Sequence, residues 1–123
     1  MRILVLDDDK EERHPSFARR FKGHVVVHVC TCAEACAALE KNPRFDLAQL
    51  DHDLCDFVDD PDSGLVFERT GTDVAEFIVL SLPKELRPKK IIVHSWNPGG
   101  AQRMLEMFRD VGIDAIRDAY RAM

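Results

Sequence analysis

The stretch AQLDHDL, residues 48–54, joins the end of a buried strand to three titratable side chains. The run at residues 45–50 is apolar enough for a strand covered on both faces, as in a parallel sheet. Asp51, His52 and Asp53 then follow without a break. Because ligands of open parallel sheets bind beyond the carboxyl ends of the strands, this ending predicts a site at one edge of a sheet.

Strand-like and helix-like segments alternate along the rest of the chain. Short aliphatic or β-branched runs predict strands at residues 3–6, 24–30, 45–50, 91–93 and 113–116. Apolar residues at helical spacing predict helices at residues 10–22, 32–41, 73–82 and from 98 to a stop at Gly112. This alternation predicts an α/β fold, a doubly wound parallel sheet of five strands in the flavodoxin-like order 2-1-3-4-5. We expect one domain over residues 1–123, since the chain is too short for two cores.

Three polar residues are predicted to cap helices, and one long segment has no predicted element. Thr31 is followed three residues later by Glu34, which is a capping box. Thr72 and Asn97 are the other predicted N-caps. Residues 55–71 are predicted to be irregular, and loops of that length are usually functional or mobile.

Composition excludes some classes of protein. The net charge of −5 argues against a broad basic surface for binding duplex nucleic acid. The apolar run before the first acids is too short for a signal peptide, and no run approaches the length of a membrane span. We therefore predict a cytoplasmic protein that does not bind membranes.

The four cysteines do not have the spacing of a structural zinc site. Cys30, Cys32 and Cys36 form C-x-C-x3-C, and Cys55 follows nineteen residues later. We expect reduced and mostly buried thiols that pack as small hydrophobes.

Acids at two predicted strand ends form a candidate metal site. Asp7 and Asp8 follow the first strand, and Asp51 and Asp53 follow the third. Like charges about 4 Å apart repel by roughly 4 kcal/mol at an effective dielectric near 20, so such a cluster needs protonation or a cation. Oxygen ligands favour Mg²⁺ or Mn²⁺, whereas a histidine ligand would favour Mn²⁺, Zn²⁺ or another transition metal.

The motif HSWNPGG, which follows the fourth predicted strand, is a candidate phosphate site. Gly99 and Gly100 leave the start of a helix open, so that an anion could approach the backbone amides. Ser95 and Asn97 add polar groups, and His94 could act as a general acid or base because an imidazole titrates near neutral pH.

These motifs resemble the receiver domains of two-component response regulators. ILVLDDDK places Asp7 and Asp8 at that family's metal-binding acid pair, and LAQLD places Asp51 at its phosphoacceptor position. Ser95 falls where receivers have a serine or threonine. The match fails after the last strand, where receivers have a lysine that holds the phosphoryl group and this chain has Arg117. The short remainder also implies that the last receiver helix is reduced or absent.

A closer resemblance is to the cyclic-phosphate processing receivers, carried by LDHDL, GTDVAEFI and HSWNPGGAQRM. It implies a metal-dependent phosphoesterase acting on 2′,3′-cyclic phosphates of nucleotides or RNA ends, in the setting of RNA repair. In that hypothesis the metal is held by Asp7, Asp8, Asp51 and Asp53, and the phosphate by Ser95, Asn97, Gly99 and Gly100. His94 protonates the leaving ribose oxygen, while His52 is a metal ligand or a second base. Arg69, in the long loop, is a candidate lid residue.

Two alternatives remain open from the residues alone. The chain could be a degenerate receiver that senses phosphate or docks a protein without turnover. It could also be a nuclease, since paired acids at a strand end serve phosphodiester cleavage in other folds.

Overall fold

A computed structural model describes residues 1–120 of the chain. Its seven strands are β1 (Arg2–Leu6), β2 (Val25–Val29), β3 (Leu47–Leu50), β4 (Asp56–Asp59), β5 (Val66–Arg69), β6 (Lys90–Val93) and β7 (Asp114–Arg117). Five of them form one sheet in the order β2-β1-β3-β6-β7, and every neighbouring pair in it is parallel. With β4 and β5 set aside, this is the predicted order 2-1-3-4-5, which is confirmed.

Helices cover both faces of this sheet. They are α1 (Arg13–Arg20), α2 (Cys32–Lys41), α3 (Gly71–Glu76) and α4 (Pro98–Asp110), and α3 continues into a π-helical turn at Phe77–Ser81. A short 3₁₀ turn at Lys84–Leu86 precedes β6. Buried residues of α2, α3 and α4 pack with Leu4, Leu50 and Ile91 on one face. Phe17 of α1 packs with Ile3 on the other, so the doubly wound arrangement is confirmed.

Residues 55–71 are not the irregular loop that the sequence predicts. They contain the antiparallel hairpin of β4 and β5, in which Val58 pairs with Phe67. Asp60 fixes its turn, because its carboxylate accepts hydrogen bonds from the amide of Asp62 and the hydroxyl of Ser63. Asp60 therefore stabilises the turn of the hairpin.

The helix caps are partly as predicted. Thr31 and Asn97 cap α2 and α4, and Thr31 forms the predicted capping box. The prediction of Thr72 as a cap is wrong: Thr70 caps α3, and the carboxylate of Asp73 accepts the amide N–H of Thr70 at 2.7 Å. The aspartate three residues after Thr70 completes the box, so the helix begins earlier than the apolar pattern indicated.

The chain after β7 forms no helix within the described residues. Tyr120 instead donates its amide to the carbonyl of His94 at 3.0 Å and packs its ring against Phe17. The prediction that the last helix is reduced or absent stays a prediction, because residues 121–123 lie outside the described part.

Two further predictions concern the cysteines and the membrane. All four cysteines are free, as expected, but only Cys32 is buried and Cys55 is exposed, so the expectation of mostly buried thiols is wrong. Among the described residues, no helix has the length and apolar character needed to cross a bilayer.

Candidate functional site

A hollow of about 370 Å³ opens at the carboxyl edge of the sheet. It is lined by Asp8, Asp9, Arg13, Asp51, Asp53, Ser95 and Trp96. These residues follow β1, β3 and β6 or start α1, so the ends of three adjacent strands meet here as the order of the sheet requires.

Three buried side chains lie together beneath the hollow and are called here the floor of the site, although only Asp51 of the three lines the cavity. One ligand atom from each of Asp7, Asp51 and His94 lies within 4.8 Å of the other two. Nε2 of His94 is 2.7 Å from Oδ2 of Asp7, and both side chains are fully buried. Asp7 is thus the member of its acid pair that points inward, whereas Asp8 is exposed in the hollow.

Arg13 joins the two buried carboxylates and was not anticipated from the sequence. Its Nη1 lies 3.2 Å from Oδ2 of Asp51 and 3.4 Å from Oδ2 of Asp7. Its guanidinium also stacks over the ring of Tyr120, at 5.0 Å from the centroid. A signal was available: Arg13 lies one helical turn before the buried Phe17, so both face the sheet.

The two buried carboxyl groups titrate differently. Burial raises the pKa of Asp51 to about 6, and the nearby carboxylate of Asp7 adds to the rise. Burial also pushes the pKa of Asp7 upward, but hydrogen bonds from His94 and the amide of Asp9 hold it below its ordinary value. Arg13 therefore compensates the two neighbouring acids only in part, and a second cation would favour ionised Asp51.

The ring of His94 does not reach the hollow. It is fully buried, tilted against Phe17 with the ring centroids 4.9 Å apart. The Asp7 carboxylate can only accept a hydrogen bond, so Nε2 of His94 carries the proton that is donated to it. Nδ1 of His94 can then accept a hydrogen bond from the side-chain amide of Gln49, at 3.4 Å. His94 lies close to Asp7 and Asp51 as predicted, but any effect on a substrate would pass through Asp7.

Asp53 lies at the rim of the hollow, whereas His52 is not among the residues that line it. The Asp53 side chain is 62% exposed, and its Oδ1 is 2.7 Å from Nδ1 of His52. Asp51 and Asp53, which the strand period places on one side, therefore separate: one is buried and the other faces solvent. The reason is that β3 ends at Leu50 and the chain bends at His52, so the two-residue period no longer holds.

The start of α4 is not the open anion site that its glycines predict. A Cβ on Gly100 would lie 2.6 Å from the ring of His52, so this glycine makes room for an imidazole rather than for an anion. Oδ1 of Asn97 already accepts the amide of Gly100 at 3.0 Å. Asn97, Gly99 and Gly100 are also absent from the lining of the hollow, and Ser95 alone of the predicted phosphate ligands belongs to it.

The segment Ser95–Trp96 is held from two sides. Nε and Nη2 of Arg117 both donate to the carbonyl of Ser95, at 3.2 and 3.0 Å. Oγ of Ser95 accepts the amide of Asn97 at 3.0 Å. Arg117, which the resemblance sets against the receiver lysine, thus binds backbone next to the hollow.

Two other residues shape the surroundings. A Cβ on Gly71 would lie 2.2 Å from the carbonyl oxygen of Asp51, so the start of α3 packs directly against the chain that carries this acid. Arg69, the predicted lid residue, instead lines a separate cleft with Cys32 and Cys36, where its guanidinium lies over the ring of Phe67. The lid prediction is therefore wrong for Arg69.

The donor set fits a divalent cation. Asp7 and Asp51 are buried, and Asp8 and Asp53 add carboxylates at the hollow. Arg13 is the one arginine or lysine among the described residues that line it. Oxygen donors in excess of positive charge are the environment that Mg²⁺ and Mn²⁺ prefer.

Comparison with protein families gives a match over most of the chain. The family described as the cyclic-phosphate processing receiver domain matches residues 2–110. The chain belongs to this family. No curated protein matches the chain.

Solved receiver domains share the fold of this cyclic-phosphate processing receiver. A CheY-like response regulator receiver domain protein from Methanospirillum hungatei JF-1 has 22% identity and a TM-score of 0.59, covering 98% of this chain and 82% of its own. The signal receiver domain of a putative LuxO repressor protein from Vibrio parahaemolyticus has 17% identity and a TM-score of 0.64, covering 98% and 79%. At these identities the likeness concerns the fold alone.

Proposed function

We propose that this cyclic-phosphate processing receiver is a metal-dependent phosphoesterase that opens 2′,3′-cyclic phosphates on nucleotides or RNA ends. The observation that carries the proposal is the pair of buried carboxylates, Asp7 and Asp51, beneath an open hollow with a single arginine. A site that only stabilised the fold would not need two buried acids with partial charge compensation beside a cavity. RNA repair is the setting in which such ends would be processed.

The cation is assigned to the acids of the first and third strands. Asp7 and Asp51 would hold it from the floor, with Asp8 and Asp53 contributing from the rim. When bound, Mg²⁺ or Mn²⁺ would offset phosphate charge and make water a better nucleophile. Zn²⁺ or another transition metal would favour a nitrogen ligand, and of the two histidines His94 has a ring nitrogen beside Asp7 and Asp51. His52, the ligand expected from the sequence, does not line the hollow.

The phosphate oxygens are assigned to Arg13 and Ser95. Arg13 uses one nitrogen, Nη1, for the two acids, and a guanidinium carries further N–H donors. Oγ of Ser95 accepts a backbone amide, so its own proton remains for an oxygen in the hollow. Both residues line the cavity, whereas the predicted ligands Asn97, Gly99 and Gly100 do not.

The two histidines have different positions in the proposal. His94 is a positioning residue, because its Nε2–H fixes the oxygen of Asp7 that also faces Arg13. His52 is hydrogen-bonded to Asp53, which lines the hollow, and it is the candidate base in the proposal. If His94 only supported the fold, His94→Gln would leave the pH profile of turnover unchanged, whereas a positioning role predicts a shifted profile.

The test is turnover of defined cyclic phosphates. The protein is incubated with 2′,3′-cyclic nucleotides and with RNA ending in a cyclic phosphate, in EDTA and with Mg²⁺, Mn²⁺ or Zn²⁺. We expect metal-dependent opening that Asp51→Asn lowers by at least about a hundredfold, since it removes a charge next to the cation. Asp110→Asn, at the exposed far end of α4, is the matched control.

Three results would count against the proposal. One is no turnover with any metal, and another is turnover equally unaffected by Asp51→Asn and Asp110→Asn. The third is cleavage at internal linkages of RNA that carries no cyclic end, which would favour the nuclease alternative.

The binding module remains a second candidate because of the hairpin. Phe57, Leu65 and Val66 are all more than 60% exposed, and apolar residues that project from a fold often contact a protein partner. Uptake of phosphate by Asp51 from acetyl phosphate, seen as a mass gain without turnover of cyclic phosphates, would support this candidate.

A further inference from the structure

The only tryptophan of the chain lines the hollow with its side chain in solvent. Trp96 is 62% exposed, although large aromatic side chains are usually well buried. Among the described residues, no aromatic ring stacks on it. We infer that Trp96 is a stacking platform for a nucleobase, so that the site takes the cyclic phosphate of a nucleotide rather than a small base-free ester. This inference rests on the proposed function.

The backbone that carries Trp96 is fixed even though its ring is free. The preceding carbonyl, of Ser95, accepts two hydrogen bonds from Arg117. The following amide, of Asn97, donates to Oγ of Ser95, and Asn97 in turn caps α4. Because the chain on both sides of the residue is ordered by these contacts, stacking on a base requires no further ordering of the backbone, and only the rotation of the ring is lost.

The neighbours of the ring indicate which part of a nucleotide it would meet. Arg13 and Ser95, the proposed ligands of the phosphate, line the same hollow as Trp96. A volume of about 370 Å³ lies within the range of small-molecule sites, and Trp96 lines this cavity while remaining exposed to solvent. With phosphate bound among the polar groups, the rest of the ligand extends toward the rim, where an aromatic face can stack on any base.

Fluorescence gives a direct test because Trp96 is the sole tryptophan. The metal-loaded full chain, kept at low temperature to limit turnover, is titrated with 2′,3′-cyclic AMP and with glycerol 1,2-cyclic phosphate. Binding of both is measured independently by calorimetry. We expect cyclic AMP to quench the emission and the glycerol ester to bind without quenching.

Variants of Trp96 test whether an aromatic ring is needed at this position. Trp96→Ala is expected to lower the affinity for cyclic AMP about tenfold or more, as the loss of base stacking on an aromatic side chain predicts. The affinity for the glycerol ester should change by no more than about twofold. Trp96→Phe should recover most of the loss. Since the side chain is exposed, neither variant is expected to unfold the protein, and thermal melting checks this.

The outcomes distinguish the inference from the proposed function. If both esters bind equally and cyclic AMP leaves the emission unchanged, stacking is overturned while the phosphoesterase stands. If Trp96→Ala weakens both esters to the same degree, the ring has no role in reading the base. If neither ester binds in the presence of metal, the proposed function itself fails and the stacking role falls with it.

Discussion

Nε2 of His94 lies 2.7 Å from Oδ2 of Asp7, and neither side chain is accessible to solvent. A carboxylate at that depth needs a donor that remains in place, and this imidazole is its shortest contact. The strand pair β1 and β6 flanks β3, so the contact joins the two strands on either side of the one that carries Asp51. The floor of the site is therefore part of the core of the fold.

Removing this donor is predicted to destabilise the protein strongly. His94→Ala leaves the Asp7 carboxylate buried, and its Oδ2 keeps only the longer contact from Arg13, which should lower the free energy of unfolding by about 3–5 kcal/mol. Urea denaturation measures the change. The control is His24→Ala, at an exposed histidine, which should stay within about 0.5 kcal/mol. Equal effects of the two variants would show that the buried pair does not support the fold.

Asp51→Asn is predicted to stabilise the protein at neutral pH when no divalent cation is present. The folded-state pKa of Asp51 is about 6, above the ordinary 3.8, so folding favours the neutral carboxyl. The resulting penalty is absent below about pH 4, grows as the pH rises toward 6 and is complete above it. Its size is about 2–3 kcal/mol, from roughly 1.4 kcal/mol per pKa unit.

The measurement is urea unfolding in EDTA between pH 4 and pH 8. The gain of Asp51→Asn over wild type should vanish near pH 4, and saturating Mg²⁺ should reduce or reverse it at pH 8 because the cation stabilises the ionised wild type. Asp53→Asn, at an exposed acid two residues away, is the matched control. A gain that is independent of pH would contradict the assigned titration.

The pattern of strands and helices predicted the order of the sheet and the edge at which the acids gather, but not the orientation of every acid. The alternation of strands and helices was sufficient for the order of the sheet, which brings the ends of β1, β3 and β6 together. Whether Asp7 or Asp8 points inward depends on where the strand stops, and one residue of difference reverses the side chain. Only the structure places Asp7 in the core and Asp8 in solvent.

Other features depend on tertiary contacts that a local pattern does not contain. The β4–β5 hairpin pairs with itself and leaves Phe57 and Val66 exposed, so no alternation toward the core marks its strands. The sequence predicts that another group approaches Gly100 closely, and in the structure that group is the ring of His52, from a distant part of the chain. The sequence analysis expected an anion at this position, whereas the structure has an imidazole.

Gly71→Ala is predicted to damage both the fold and the site. Its Cβ would meet the carbonyl oxygen of Asp51 at 2.2 Å and the side chain of Met104 at 2.9 Å, so the backbone beneath the hollow has to move. We expect a loss of about 3 kcal/mol or more in unfolding free energy, above that of ordinary overpacking because backbone is the obstacle. Gly99→Ala, whose Cβ would have its nearest atom at 3.7 Å, should be tolerated. Similar melting of the two variants would refute the close approach.

Arg117 and Arg109 offer a matched pair for the support of Trp96. Arg109 donates through Nε and Nη2 to the carbonyl of Ala115, at 3.1 and 2.9 Å, as Arg117 does to Ser95. Truncating either to alanine should therefore cost a similar 1–2 kcal/mol or so, from the loss of charged donors to one carbonyl. Only Arg117→Ala should lower the fluorescence anisotropy of Trp96 and weaken the binding of cyclic AMP. The reason is that the carbonyl bound by Arg117, that of Ser95, directly precedes the tryptophan. If Arg109→Ala changed the anisotropy equally, global loosening rather than local support would explain the effect.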